Sequence, residues 1–382
     1  MKPLLPSVLA TVLLASAAQA RAPAPPAQIA ALPVVLLVDL GSGQQLYARK
    51  PDLRFVPASM VKVMTAYVAF EEIAAGRLSE DDRFVVSPQV SREWKGKGSS
   101  MALDAGEAVS VRDLLRAIMT ASANDAAVVL AQGHARSLPA WSFLMNDAAR
   151  RLGMRDSRFS TPNGWPDGGK TYVSARDLVT LSQAMTMRFP RLYRSYSGRK
   201  AFVWHGRKLL SHDPVSGVVP GADGIKTGHT REAGFNFLGS AERNGRRLAM
   251  VVAGAGSTVE RDAASRALLE WGFSAWQVRP LFRAGQTVAT ARVQGGAARH
   301  VDLVAADDIH AAMPRGAHAR IALRLVYRGP LVAPVAKGAE VAELEISVDG
   351  MAPGRVKLRA ANAIGAADPM DRLWNGLMNL FA

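Results

Sequence analysis

The chain has 382 residues, 49% hydrophobic and 21% charged, a length that predicts two domains rather than one. It has no cysteine, which excludes disulfides and thiolate metal sites, and its 7 histidines are scattered without ligand spacing, so no metal or other cofactor is expected. The net charge of +15 suits either attraction to polyanions, such as anionic lipid headgroups or acidic wall polymers, or general solubility; the lack of a basic stripe interleaved with aromatics argues against a nucleic-acid partner.

Met1 to Ala20 reads as a secretory signal peptide: Lys2 gives the positive start, Leu4 to Ala17 is mostly apolar, and Ala18-Gln19-Ala20 is a small-x-small cleavage site. The apolar part is too short and alanine-rich for a membrane span. A mature start near Arg21, outside the cytoplasm, follows, with Ala22 to Ala31 as a flexible leader. Pro33 to Leu40 and Gln44 to Arg49 are strand candidates, joined through Gly41-Ser42-Gly43 as a hairpin.

After Pro57-Ala58, no Gly or Pro appears from Ser59 until Gly76, so a helix starts at or near Ser59. Ser59 and Lys62, three apart, then share a face. A hydroxyl beside an amine can serve as nucleophile and base if burial and neighbouring positive charge keep the amine neutral. Alone, that spacing is common on solvated helices. Asp82 to Val86 is a short strand candidate and Gly96 to Ser100 a Gly/Ser-rich loop.

Val111 to Thr120 has apolar residues at helical spacing, and a second apolar run to Ala131 follows Ala121-Ser122-Ala123-Asn124-Asp125. Ser122 and Asn124 suit a tight interhelical turn, because their side chains bond the local backbone. Leu138 to Gly153 and Ser174 to Met187 are further helices, with a turn-rich loop at 161–169 between them. Phe235 to Glu242 and Arg246 to Ala253 make a hairpin around Asn244-Gly245. Lys226-Thr227-Gly228 is thereby on or beside an edge strand, and Gly228 is either a bulge or a place where a substrate backbone comes close. Glu260 to Phe273 is the last helix of this domain, and from Pro280 short alternating segments predict a small all-β domain, a spacer or docking module.

The C-terminus, Asp368 to Ala382, opens on Asp368-Pro369, a good helix start. On a wheel at about 100° per residue its apolar residues, Trp374 and Phe381 among them, fall in one arc of roughly 160°. A helix packed on the β domain and an interfacial membrane helix both fit; the second is preferred.

Ser-x-x-Lys at a helix start, Ser-x-Asn about 60 residues on and Lys-Thr-Gly about 100 further form the motif set of penicillin-binding proteins and class A β-lactamases. Pro57 to Lys62, Gly98-Ser99-Ser100-Met101, Ala121 to Asp125, Ser174-Ala175-Arg176-Asp177 and Asp223 to Thr230 resemble the low-molecular-mass D-alanyl-D-alanine carboxypeptidases. The resemblance implies an α+β chain: a signal peptide at 1–20, a serine β-lactamase/DD-peptidase-like α/β sandwich at 30–276, a small β-rich domain at 280–366 and a membrane-associating amphipathic helix at 368–382.

It also implies roles. Ser59 would attack the carbonyl between the two terminal D-alanines of a peptidoglycan stem peptide, and Lys62 would take its proton. Ser122 would relay a proton to the leaving amine, and Asn124 would position substrate and Lys62. Lys226 would keep the site positive and, with Thr227, meet the terminal carboxylate, with Arg261 a further carboxylate candidate. The N–H groups of Ser59 and His229 would form the oxyanion hole, beside Gly228. The implied partners are the D-Ala-D-Ala terminus, β-lactams as covalent inhibitors and the outer face of the inner membrane, with no cofactor.

Departures from the family pattern are a short segment before Gly98, Trp165 in place of leucine, and Ser211-His212-Asp213 in place of an Asn-Arg-Asn type stretch. They bear on substrate detail and deacylation rather than on the nucleophile. A class A β-lactamase needs a glutamate between the second and third motifs, and 108–231 contains none. A DD-endopeptidase or transpeptidase uses the same residues, and a catalytically silent wall-binding scaffold would have lost at least one of them.

Overall fold

A computed structural model describes residues 22–368. The expected leader at 1–20 and, apart from Asp368, the expected terminal helix lie outside the described residues.

The first unit is built on a five-stranded antiparallel sheet. Its strands are β1 (Val34–Asp39), β2 (Gln44–Arg49), β7 (Ala222–Thr230), β8 (Gly234–Arg243) and β9 (Arg246–Ala255), in the order β2-β1-β9-β8-β7. The central strands are apolar along their length because both faces are covered. Successive β1 residues point to opposite faces: Leu36 and Val38 join the core under the helical cluster, while Val35 and Leu37 pack with Leu268 and Leu269 of α8 (Thr258–Ser274). The β8–β9 turn, Asn244-Gly245, has positive φ at both residues (51° and 76°), as the two-residue hairpin requires.

The helical cluster comprises α1 (Val61–Ala74), α2 (Pro88–Trp94), α3 (Val111–Arg116), α4 (Asn124–Ala135), α5 (Leu138–Leu152), α6 (Ala175–Arg188) and α7 (Pro190–Tyr196). It also carries two short hairpins, β3 (Arg83–Val85) with β4 (Ala108–Ser110) and β5 (Ala201–Trp204) with β6 (Arg207–Leu210). Every residue of α1 from Val61 to Phe70 is buried, so this helix runs through the middle of the cluster. The helix expected over Val111 to Thr120 is interrupted: α3 stops at Arg116 and a π turn, Ala117–Ala121, carries the chain to Ser122. The wider turn delivers the chain to Ser122 in the left-handed region, at φ 62°.

The second unit is all β, with β10 (Trp276–Phe282), β11 (Thr287–Gln294), β12 (His300–Ala305), β13 (Ile309–Pro314), β14 (Ile321–Val326), β15 (Leu331–Val332), β16 (Glu340–Val348) and β17 (Gly354–Ala360). Six form a sheet in the order β14-β16-β17-β12-β11-β15, and β10 pairs with β13. Pro280, where the sequence changes character, lies inside β10, which begins two residues after α8 ends. The two units meet at the β1–β2 turn. The buried Asp39 carboxylate lies 2.6 Å from His310 Nε2 on β13 and accepts from Arg246 Nε at 2.7 Å, while Ala312 N donates to Gln44 Oε1 at 2.7 Å.

Candidate active site

Ser59 sits in a 3-10 turn, Ala58–Met60, that leads into α1. Three tertiary contacts hold this turn. Asn236 of β8 donates to Val56 O at 3.3 Å and accepts from Gly254 N at 2.8 Å, tying the approach to the sheet. Gly228 of β7 lies against it, where a Cβ would overlap Pro57 O; the β7–β8 register shift falls at Ala222/Gly224, so Gly228 is not the bulge. Its missing side chain admits the chain's own turn that carries Ser59, a reason the sequence reading did not include. On the other side, a Cβ on Gly164 would overlap Ala58 O, so the 161–169 loop also packs directly on the turn.

Lys62, in the first turn of α1, is fully buried. Its Nζ donates to Ser59 Oγ at 2.8 Å, to Asn124 Oδ1 at 2.8 Å and to the Asn163 carbonyl at 2.7 Å. Burial, then the charge of Lys226, hold its pKa well below the usual lysine range, against an opposite pull from Asp125. Lys226 lies two residues before Gly228 on β7 and therefore faces the same side. It is buried, donates to Thr227 O at 3.0 Å, and burial and the Arg261 guanidinium bring its pKa down to about 7.

Asn124 opens α4. Its Nδ2 donates to Lys97 O at 2.9 Å and its N to Ser99 O at 2.7 Å, which seats the 95–100 loop at the site. Asp125 fastens the same loop, accepting from Ser100 Oγ (2.6 Å), Met101 N (3.0 Å) and Leu103 N (3.2 Å). Ser122 is buried at the junction of the π turn and α4.

The structure thus joins Ser59, Lys62 and Asn124 by direct hydrogen bonds, with the charge of Lys226 acting on Lys62 and that of Arg261 on Lys226. Thr227 is buried beside Lys226. His229, further along β7, is exposed, its ring stacked on Phe235 at 3.9 Å. Arg261 donates to Asp262 Oδ1 at 2.8 and 2.6 Å, and to the His212 carbonyl at 3.5 Å. Burial, Lys226 and Arg261 together lower the His212 pKa, so the departure at Ser211-His212-Asp213 falls at the site.

Sequence reasoning missed the Asn163 carbonyl, because a backbone oxygen has no residue signature; the turn-rich composition of 161–169 was its only trace. It named Trp165 only as a departure from the family pattern and missed its partner, Trp94, which meets it edge to face at 5.6 Å. No His/Asp/Glu cluster suited to a metal occurs among the described residues.

A serine hydroxyl on a buried amine of lowered pKa, with a second buried lysine beside it, is the equipment of a serine acyl-transfer enzyme without a histidine. A profile of the D-alanyl-D-alanine carboxypeptidase family, peptidase S11, matches residues 18–257, and one of the penicillin-binding protein 5 C-terminal domain matches 276–366. The chain belongs to the D-alanyl-D-alanine carboxypeptidase family. It is similar to D-alanyl-D-alanine carboxypeptidase DacA of Haemophilus influenzae (32% identity, 92% of this chain and 90% of that one) and DacD of Salmonella typhimurium (36%, 87% and 86%). Among solved structures it resembles penicillin binding protein 5 from H. influenzae (TM-score 0.71, 30% identity, 87% of this chain and 97% of that one). It also resembles penicillin-binding protein D2 from Listeria monocytogenes in its ampicillin-bound form (TM-score 0.58, 30%, 64% and 98%).

Proposed function

We propose that this protein is a serine D-Ala-D-Ala carboxypeptidase of the periplasm that removes the terminal D-alanine from peptidoglycan stem pentapeptides through an acyl-enzyme on Ser59. The observation that carries the reading is the Lys62 amine, fully buried and 2.8 Å from Ser59 Oγ. Ser59 Oγ attacks the carbonyl of the terminal peptide bond as its proton passes to Lys62 Nζ. The developing oxyanion accepts from the backbone N–H groups of Ser59 and His229. Asn124 holds Lys62 and the substrate, and Ser122 passes the proton to the leaving amine as the C–N bond breaks. Lys226 and Thr227 take the terminal carboxylate, with Arg261 behind them, and Gly228 keeps β7 close to the nucleophile. Water then cleaves the Ser59 ester.

The same nucleophile opens β-lactams, a reading supported by the ampicillin-bound relative. Export is supported by the composition of 1–20, and attachment to the outer face of the inner membrane by the amphipathic pattern of 368–382. The test is D-alanine release from a diacylated Lys-D-Ala-D-Ala tripeptide by wild type and Ser59→Ala. Release that depends on Ser59 is expected. Penicillin labelling without release would point instead to an endopeptidase or a very slow deacylator; the absence of both release and labelling would overturn the enzyme reading.

A further inference from the structure

Five contacts form a closed circuit around Lys62. Its Nζ donates to Asn124 Oδ1 (2.8 Å) and to Asn163 O (2.7 Å). Asn124 Nδ2 donates to Lys97 O (2.9 Å), and Trp165 N donates to Asn163 Oδ1 (3.0 Å). The circuit closes at the rim, where Lys97 Nζ lies 4.8 Å from the centre of the Trp165 ring. Trp94, the last residue of α2, backs this contact with its own ring 4.7 Å from Lys97 Nζ. Among the described residues Lys97 has no carboxylate partner, so the two indoles are what engage its charge.

The two loops the circuit joins need such a closure. The acceptors Asn124 and Asn163 stand on α4 and on the 161–169 loop, and the 95–100 loop that accepts from Asn124 turns through left-handed Gly96 and Gly98 (φ 73° and 64°), which leaves it pliable. A Cβ on Gly98 would stand 3.0 Å from Asn124 Nδ2 and 3.3 Å from Trp165, so that segment lies against both. A cation held over indole faces is a contact of modest strength, enough to bias a loop without freezing it.

We propose that Lys97 and Trp165 are positioning residues: their cation–π contact latches the 95–100 and 161–169 loops over Lys62 and so sets the rate at which Ser59 is acylated. The inference rests on the reading of Ser59 and Lys62 as nucleophile and base. With the latch open, water reaches Lys62 Nζ, the Asn163 carbonyl drifts with its loop, and the Asn124 side chain loses its Lys97 acceptor. Desolvation is the largest influence lowering the amine's pKa, while the charges facing it, Lys226 from β7 and Asp125 from α4, stay in place. The base then requires higher pH.

The experiment compares Lys97→Gln, Trp165→Leu, the double variant and Lys97→Arg. It measures acylation by a fluorescent penicillin across pH, kcat and KM for D-alanine release, and thermal melting. Each single variant is expected to acylate about tenfold more slowly, with the acid limb moved to higher pH and the melting temperature kept. The double variant should lose no more than the worse single, since both break one contact. Lys97→Arg should stay within about twofold of wild type, because guanidinium also stacks on indole. Should Trp165→Leu melt early, the exposed Lys97→Gln decides alone.

Wild-type rates in Lys97→Gln, losses that multiply in the double variant, or a change confined to KM with the acid limb unmoved would each overturn the latch. The last of these would mark Lys97 as a direct substrate contact. A wild type that fails to acylate overturns the reading of Ser59 with it, whereas an active wild type with unaffected variants overturns the latch alone.

Discussion

Gly164→Ala isolates how far the site depends on close packing of the 161–169 loop. Gly164 has φ 73°, and a methyl there would overlap the carbonyl oxygen of Ala58, the residue before Ser59, and touch Val61 Cγ2 at 3.2 Å. Two costs follow. A non-glycine residue in the left-handed region loses about 1 kcal/mol, and the loop and turn must part by about 1 Å before ordinary contact is restored. That displacement falls on Asn163, whose carbonyl holds Lys62 Nζ at 2.7 Å, and takes it out of hydrogen-bond range. Misplacement of about 1 Å costs on the order of 100-fold in rate. Gly168→Ala is the matched control: Gly168 has φ 71° but nothing within 4 Å, so it bears only the conformational cost. The assay is the acylation rate with a fluorescent penicillin, with melting curves beside it. The control should melt a few degrees lower and acylate normally, and Gly164→Ala should acylate about 100-fold more slowly than the control. Rates for the two variants within about threefold of each other would refute the reasoning.

Lys226 is charged below its pKa of about 7 and neutral above it, so its attraction for a substrate carboxylate is present at lower pH and lost as pH rises through that value. The alkaline limb of kcat/KM should therefore move upward in Lys226→Arg, which stays charged; an unmoved limb would dissociate it from Lys226. Burial raises the Asp39 pKa, yet His310 and Arg246 outweigh it and hold the carboxylate below its usual value. Its contribution is thus present above the ordinary carboxylate pKa and lost as pH falls through the lower folded one. Asp39→Asn should cost about 3 kcal/mol and weaken the joint between the two units, and calorimetry showing one unshifted transition would count against that. Deleting 368–382 should move the protein from the membrane to the soluble fraction of a cell lysate with peptidase activity intact; a truncated form that sediments with membranes would end the anchor reading.

Much of the site was legible because its signals are local. The Ser59–Lys62 spacing, the Asn244-Gly245 hairpin and the placement of Lys226 on an edge strand depend on neighbours within one turn or one strand pair. The short elements were not legible. The α2 and α7 helices have seven residues each, and β5–β6 turns at His205-Gly206, whose signal is weak until the positive φ values at both residues are seen. Gly228 was read as a bulge or a place of substrate approach, because nothing along the chain reveals that Pro57 O lies against it.

The pairing of Ser59 with Lys62 is written in the sequence, since three positions along a helix start put them side by side. The surroundings of that pair come from the tertiary structure alone. The Lys62 pKa is lowered by the packing of α1 on every side and by a second lysine brought in on β7, and its amine is aimed by a loop carbonyl from Asn163. Desolvation and aim are properties of what surrounds a group, and that surrounding is assembled from segments far apart in the chain.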